Sequence, residues 1–295
     1  MQQFVEASTP GIRLWTEQRG PADAPPLLLV MGAQAAGVGW PDPLVDALAA
    51  HHRVIRYDHR DTGRSSWPFE EQPYRIADLA ADVIAVLDGL GIERAHLAGL
   101  SLGGMLAQMA LADHPDRWIS ATLMGTNALS ITPYTRPDGS TVPVDELPGI
   151  APEVLEMWAR PVEDHGREAE VERRIAHWRV LAGDQLPFDE DYFRAFEHRV
   201  IEHTGHYRAG TAHGSAEHEG MLRTDELAKN RVPTLVVAAL AEPIFPPPHP
   251  QHLAQAVGNA RLIEIPGMGH ALPPAVHAPL TAAILAHTGA IPPGE

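Results

Sequence analysis

The chain has 295 residues, 44% of them apolar, with a formal net charge of −16 and no cysteine. This length and apolar content favour one large α/β domain with an insertion, or two small domains, over a disordered chain. The lack of cysteine excludes disulfides, cysteine-bound zinc and a cysteine nucleophile, and the acidic balance argues against nucleic acid or an anionic membrane as a partner.

The first residues, Met1-Gln2-Gln3-Phe4-Val5-Glu6, contain neither a basic segment nor a long apolar one, so we expect no signal peptide. No apolar run approaches the roughly 20 residues that a membrane-spanning helix needs. We therefore expect a soluble, cytoplasmic protein, and the sequence leaves its oligomeric state open.

The first third of the chain alternates between strand and helix patterns. The apolar run 26–31 is typical of a strand that is covered on both faces, and apolar residues recur at helical spacing between Ile76 and Leu87. This alternation predicts a mostly parallel, twisted sheet with helices on both faces. The predicted strands are 12–17, 26–31, 53–58, 95–98 and 118–124, and the predicted helices are 43–51 and 76–87.

The alternation stops near Gly125 and resumes at Pro233. We interpret residues 1–126 and 231–295 as the sheet domain, and residues 127–230 as a helical lid inserted into it. The lid carries helical patterns at 153–160, 168–181 and 189–203; the resumed part carries strands at 233–239 and 260–265, a last helix at 276–288 and a frayed tail from Pro292.

The segment Gly99-Leu100-Ser101-Leu102-Gly103 has the pattern G-x-S-x-G between a predicted strand and a predicted helix. This is the context of a nucleophile elbow, in which a strained turn lifts a serine hydroxyl clear of the sheet edge. Glycines suit such a turn because the backbone doubles back tightly. The alternative is an ordinary strand-to-helix turn, but the flanking elements and a histidine downstream favour Ser101 as a nucleophile.

A serine nucleophile needs a base, and the base needs an acidic group that orients it. His270 follows the last predicted strand in a glycine-rich loop, which is where such a base is expected. Glu242 is the only carboxylate directly after the strand 233–239, so it is the candidate acid; a loop glutamate on the surface is the alternative. Candidate donors to an oxyanion are the backbone N–H groups of Leu102 and of Ala33, which Gly32 precedes.

Charged and histidine-rich segments elsewhere have simpler interpretations. The segment from Asp58 to Ser65 follows a strand and is interpreted as a hydrogen-bonded turn instead of a metal or phosphate site. The histidines of 203–206 and 249–252 lack a convincing carboxylate partner for zinc, and we expect them at the surface, together with His277 and His287. No Gly-x-Gly-x-x-Gly occurs in the first strand-to-helix turn, so a nucleotide cofactor is not expected.

Three segments of the chain resemble the aclacinomycin methylesterase family of anthracycline biosynthesis, within the α/β-hydrolases. They are Leu29-Val30-Met31-Gly32, residues 54–65 (VIRYDHRDTGRS) and residues 264–273 (EIPGMGHALP). The resemblance implies the α/β-hydrolase fold and a serine esterase that removes the methyl ester of an anthracycline-type aromatic polyketide, without cofactor or metal. Ser101 would be the nucleophile and His270 the base, while Glu242 stands where the family usually has aspartate.

Aromatic side chains of the lid suit a flat aromatic substrate. Five of them could line an apolar cavity over Ser101, although each could equally pack the lid onto the core: Trp158, Trp178, Phe193, Phe196 and Tyr207. The same fold and triad also serve lactonases, C–C hydrolases and cofactor-free perhydrolases, so these activities stay open. A non-catalytic protein that binds small molecules is a further alternative.

Overall fold

The computed structural model describes residues 1–161, 163–208 and 210–289, so the tail predicted from Pro292 lies outside the described residues. The strands are β1 (Gln2–Glu6), β2 (Arg13–Arg19), β3 (Pro26–Val30), β4 (Arg53–Tyr57), β5 (Ala95–Leu100), β6 (Trp118–Met124), β7 (Tyr134–Thr135), β8 (Thr141–Val142), β9 (Thr234–Ala239) and β10 (Ala260–Ile265). The helices are α1 (Asp42–Ala49), α2 (Ile76–Gly89), α3 (Leu102–Asp113), α4 (Pro152–Trp158), α5 (Arg167–Leu181), α6 (Glu190–Thr204), α7 (Ala212–Ser215), α8 (Thr224–Ala228), α9 (His249–Ala256) and α10 (Pro274–Thr288).

Eight strands form one sheet in the order β1-β2-β4-β3-β5-β6-β9-β10. The pairs β1–β2 and β2–β4 are antiparallel, and the other neighbours are parallel. The predicted mostly parallel sheet is therefore confirmed. Strand β1 was missed, because only Phe4 and Val5 of its five residues are apolar and it pairs only at the sheet edge.

Helices cover both faces of the sheet, and strand β3 shows why its sequence is continuously apolar. Leu28 and Val30 pack into the cluster that contains α2 and α3, whereas Leu27 and Leu29 face the cluster that contains α1 and α10. Alternate side chains of a strand point to opposite faces, so a strand buried on both faces needs apolar residues at every position.

The segment between β6 and β9 carries helices α4 to α8, and its two longest helices, α5 and α6, pack against each other. We call residues 125–233 the inserted segment. In the described ranges of the chain, no helix is long and apolar enough to cross a membrane.

The turn after β4 is held by buried hydrogen bonds, as predicted. The Asp58 carboxylate accepts from the backbone N–H groups of Gly37 (2.7 Å) and Arg64 (2.8 Å). The Arg60 guanidinium donates to both oxygens of Asp82 on α2, at 2.6 and 2.8 Å, and both side chains are almost fully buried. This ion pair fastens the turn to the helix layer.

We expect Asp82→Ala to lower the free energy of unfolding by about 3–5 kcal/mol, because it leaves the Arg60 charge buried without its partner. Urea denaturation at neutral pH measures the change. Asp46 is the matched control, since its pair with Arg19 is exposed, and Asp46→Ala should cost less than about 1 kcal/mol. Equal losses in the two variants would contradict the buried pair's importance.

Candidate active site

Ser101 sits at a sharp turn between β5 and α3, at the carboxyl edge of the sheet. Its backbone has φ of +57° and ψ of −123°, a conformation that a residue with a side chain rarely adopts. The flanking glycines allow the turn: a methyl group on Gly99 would lie 2.3 Å from the Gly103 carbonyl oxygen, and one on Gly103 would lie 2.1 Å from the Val30 oxygen. The G-x-S-x-G pattern therefore forms the strained elbow that the sequence predicts.

His270 and Glu242 form a buried pair on the loops that follow β10 and β9. The Nδ1 atom of His270 lies 2.8 Å from each oxygen of the Glu242 carboxylate. An ionised carboxylate can only accept, so His270 Nδ1–H is the donor, and in the neutral ring the lone pair is then on Nε2. The two loops are fastened together by the hydrogen bond from Ala241 N–H to the Met268 oxygen, 2.8 Å long.

The environment of Glu242 keeps its carboxylate ionised. Burial alone would raise the pKa of this carboxyl, but the attraction and hydrogen bond of His270, together with the backbone N–H groups of Ile244 and Phe245, outweigh burial and hold the pKa below its usual value. The backbone N–H of Ile244 also donates to Oε1, at 2.9 Å, which fixes the direction of the longer glutamate side chain.

The end of β6 lies between Ser101 and the His270–Glu242 pair and contacts both. The N–H of Ser101 donates to the Met124 oxygen at 3.0 Å. The next residue, Gly125, touches the pair: a methyl group there would lie 3.2 Å from both Glu242 Oε2 and His270 Nδ1. Within the described ranges the Ser101 hydroxyl forms no hydrogen bond to His270; in sites without substrate such contacts are often long and shorten when substrate binds.

Near Ser101, the backbone N–H groups of Leu102 and Ala33 have no acceptor in the part of the chain that the structure describes. Leu102 is the first residue of α3, so its N–H has no acceptor within the helix. The N–H of Ala33 has no acceptor among the residues that the structure describes. Residues 31–34, which we call the Ala33 loop, lie close to the serine. A methyl group on Gly32 would be 3.8 Å from Ser101 Oγ.

Two buried histidines form hydrogen bonds to the backbone of the Ala33 loop. His59 Nε2–H donates to the Met31 oxygen at 2.9 Å, and His213 Nδ1 accepts from the Gln34 N–H at 2.8 Å. Burial lowers the pKa of His59 to about 4 and, with the nearby His59 ring, the pKa of His213 to about 3. Both rings are therefore neutral at neutral pH.

These shifts predict that the folded protein is sensitive to acid. Below the unfolded pKa of about 6.5, the unfolded chain takes up protons at His59 and His213 that the folded protein does not. His59 and His213 alone should lower the free energy of unfolding by up to about 3 kcal/mol per pH unit between about pH 6 and pH 4, since each contributes about 1.4 kcal/mol per unit. His96 and His177, whose pKa values burial also lowers to about 4, add to this fall. Urea denaturation at pH 7, 6 and 5 measures it, and a free energy that is constant over this range would contradict the neutral, buried state of the two rings.

A narrow apolar cavity, of which about 10 Å³ is open to the centre of a water-sized sphere, adjoins His270. Three of the five predicted lid aromatics line it, namely Trp178, Phe193 and Phe196. The sequence did not indicate Tyr192, which precedes Phe193 on α6 and packs edge-on against its ring, or the residues that the sheet domain supplies. The latter are Met31, Gly39, Pro41, Leu100 and Leu272.

The other two predicted aromatics do not line this cavity. Trp158 is half exposed, and its Nε1–H donates to His177 at 3.3 Å. Tyr207 packs against the cluster of Val171, Ile175 and Ile201, and its hydroxyl donates to Asp164. Helical spacing alone does not show on which side of the inserted segment an aromatic side chain lies.

The histidines of 203–206 and 249–252, together with His277 and His287, were expected at the surface. This expectation is wrong for three of them. His203 is buried, with Nε2 2.7 Å from Asp58 Oδ2 and its ring edge-on to Trp15. His252 and His277 are also buried, and each ring bonds a backbone carbonyl oxygen. The partner of His203 is 145 residues away in the chain, so no local pattern could have shown it.

The fold and the geometry of this edge are those of an α/β-hydrolase, and the chain belongs to the α/β-hydrolase fold family, whose model matches residues 25–273. It is 42% identical over 290 residues to the rhodomycin D methylesterase of Streptomyces peucetius, covering 95% of this chain and 96% of the relative. A rhodomycin D methylesterase of Streptomyces sp. strain C5 is also 42% identical, over 95% and 96% of the two chains.

A solved hydrolase structure from Pseudomonas aeruginosa is also similar to this chain. It has a TM-score of 0.67 and 27% identity and covers 98% of each chain. The likeness to anthracycline methylesterases that the sequence segments indicate is thus confirmed at the level of the whole chain.

Proposed function

We propose that this protein is a serine carboxylic-ester hydrolase that removes the methyl ester of an anthracycline-type aromatic polyketide and releases methanol. The observation that carries the proposal is the strained Ser101 elbow beside the buried His270–Glu242 pair. The 42% identity to rhodomycin D methylesterases over nearly the whole chain supports the choice of substrate class.

The reaction divides into acylation and deacylation. Ser101 Oγ attacks the ester carbonyl carbon while His270 Nε2 takes the hydroxyl proton. The carbon–methoxy bond then breaks, and the same proton passes to the leaving oxygen to give methanol. A water molecule, deprotonated by His270 Nε2, attacks the acyl carbon. The bond to Ser101 Oγ then breaks, and the proton passes from His270 to Oγ, which gives the carboxylic acid and free Ser101.

Glu242 and two backbone groups assist both steps. The Glu242 carboxylate holds the Nδ1–H of His270, so Nε2 faces the serine with its lone pair, and it stabilises the imidazolium that forms. The N–H groups of Leu102 and Ala33 donate to the oxyanion of the tetrahedral intermediate. Such donors act strongly because the charge that they stabilise develops only during the reaction.

Residues 127–230 act in this proposal as a lid over the site. Trp178 and Phe193 stack with a ring separation of 5.6 Å and an angle of 20°, which gives the cavity a flat apolar wall. Only about 10 Å³ of the cavity is open to the centre of a water-sized sphere, which is roughly the space of one water molecule and far too little for a tetracyclic ring system. A tetracyclic substrate therefore requires the lid to move outward before the ester reaches Ser101.

Methanol release from rhodomycin D by the purified protein tests this function. We expect one methanol for each acid formed, and slower turnover of lactones and of substrates for C–C cleavage. Turnover of a lactone without methanol release from any methyl ester would contradict the proposal in favour of another hydrolase activity. A folded protein that turns over none of these substrates and resists a fluorophosphonate would favour a binding protein instead.

A further inference from the structure

The Ala33 loop has a conformation that its own sequence does not favour. Gln34 has a φ of +59°, in the left-handed region that residues with side chains rarely adopt. Such a conformation persists only where the surrounding structure holds it. The contacts that hold Gln34 therefore also decide where the preceding N–H group, that of Ala33, points.

Two neutral histidine rings supply these contacts, one on each side of Gly32 and Ala33. His59 donates from Nε2 to the Met31 oxygen (2.9 Å), and the Gln34 N–H donates to His213 Nδ1 (2.8 Å). Because a backbone N–H can only donate, His213 Nδ1 carries a lone pair, and its proton is on Nε2, which donates to the Arg60 oxygen at 2.9 Å.

The two rings also pack against each other. They meet edge to face with centroids 5.5 Å apart, and both are buried. The Nδ1 atom of His59 is buried without a hydrogen-bond partner among the described residues, which suits a ring nitrogen that carries no proton. His59 comes from the turn after β4 and His213 from α7 of the inserted segment, so the loop is held from two separate parts of the chain.

We propose that His59 and His213 are positioning residues for catalysis, which fix Met31 and Gln34 so that the Ala33 N–H between them points at the oxyanion. This inference rests on the proposed acyl transfer at Ser101. The two histidines touch no substrate; they act through the loop backbone. The inserted segment thereby contributes to the oxyanion site as well as to the cavity wall.

Asparagine and glutamine can each replace one hydrogen-bonding nitrogen of a histidine ring but not the other. An asparagine side chain places its oxygen near the position of Nδ1, and a glutamine side chain places its amide nitrogen near the position of Nε2. His213→Asn therefore keeps an acceptor for Gln34, whereas His213→Gln loses it. For His59 the order reverses, because His59→Gln keeps a donor for the Met31 oxygen and His59→Asn loses it.

The test measures kcat and KM for p-nitrophenyl acetate, affinity for a trifluoromethyl aryl ketone, and thermal stability in all four variants. We expect His213→Gln and His59→Asn to lower kcat between about 10-fold and 100-fold with KM unchanged, since small misplacements of catalytic groups have effects of this size. Affinity for the ketone, whose serine adduct carries an oxyanion, should fall by a similar factor. His213→Asn and His59→Gln should keep most of the wild-type kcat and most of the affinity for the ketone.

We call this result, in which asparagine preserves kcat at position 213 but glutamine preserves it at position 59, the crossed pattern. If the two histidines were merely structural, kcat would instead fall with the thermal stability of each variant, whichever contact the variant keeps. Four variants with wild-type kcat would overturn the inference, and so would losses of kcat that follow stability alone. If the wild type hydrolyses p-nitrophenyl acetate but not rhodomycin D, the proposed substrate is wrong while the crossed pattern still tests the two histidines.

Discussion

Ser101→Ala should lower kcat for methanol release by about 10⁶-fold, the size of the loss when a serine nucleophile is removed from a protease triad. Affinity for the acid product should stay near that of the wild type, because the cavity wall is unchanged. Methanol quantified after long incubation measures the residual rate.

Ser120→Ala is the matched control for this substitution. Ser120 lies on β6, where its hydroxyl contacts the His96 ring at 2.9 Å and takes no part in the site. We expect kcat within about two-fold of the wild type, since its hydroxyl belongs to the structure of the sheet and a small stability loss does not change the chemistry. A Ser101→Ala protein that keeps more than about a tenth of wild-type activity would contradict a covalent mechanism at this residue.

Glu242→Gln should lower kcat by about 10⁴-fold, the loss found for the corresponding Asp-to-Asn change in a serine protease. The neutral amide can donate to His270 Nδ1, which moves the proton to Nε2 and leaves no lone pair for the Ser101 hydroxyl. It also removes the negative charge that stabilises the imidazolium. The rate should not recover at higher pH, because glutamine does not ionise.

Glu242→Asp is the control that keeps the charge. The aspartate is one methylene shorter and draws the carboxylate away from Nδ1, which both glutamate oxygens now approach to 2.8 Å. We expect a loss of about 10-fold to 100-fold, because the tautomer is retained while the alignment is weakened. Equal activity of the glutamine and aspartate variants would contradict an orienting role for this carboxylate.

The parts of the site that follow local patterns could be predicted from the sequence. The elbow depends on a strand, a serine between glycines and a helix, all within about 20 residues of sequence, so Ser101 could be chosen before the fold was known. His270 and Glu242 follow strands at the same sheet edge, and the pairing of β9 with β10 brings their loops together. Parallel strands place their carboxyl ends side by side, which makes such a pairing predictable.

The parts that depend on long-range packing could not be predicted. His213 and His59 approach the Ala33 loop from different regions, and 179 residues separate Gln34 from His213. Nothing in the local sequence of α7, a four-residue helix, marks His213 as different from the other histidines of the chain. The same limit applies to Tyr192, whose position on the cavity wall depends on how α6 packs over the sheet.

If Ser101 is the nucleophile of an ester hydrolase, it should react covalently with a fluorophosphonate, and labelling shows this at the residue itself. The protein is treated with a fluorophosphonate, and the modified peptide is identified by mass spectrometry while methanol release is followed in parallel. We expect a single adduct on Ser101, formed in step with loss of methanol release from rhodomycin D. An adduct on another residue, or full methanol release from protein that is completely labelled at Ser101, would contradict it.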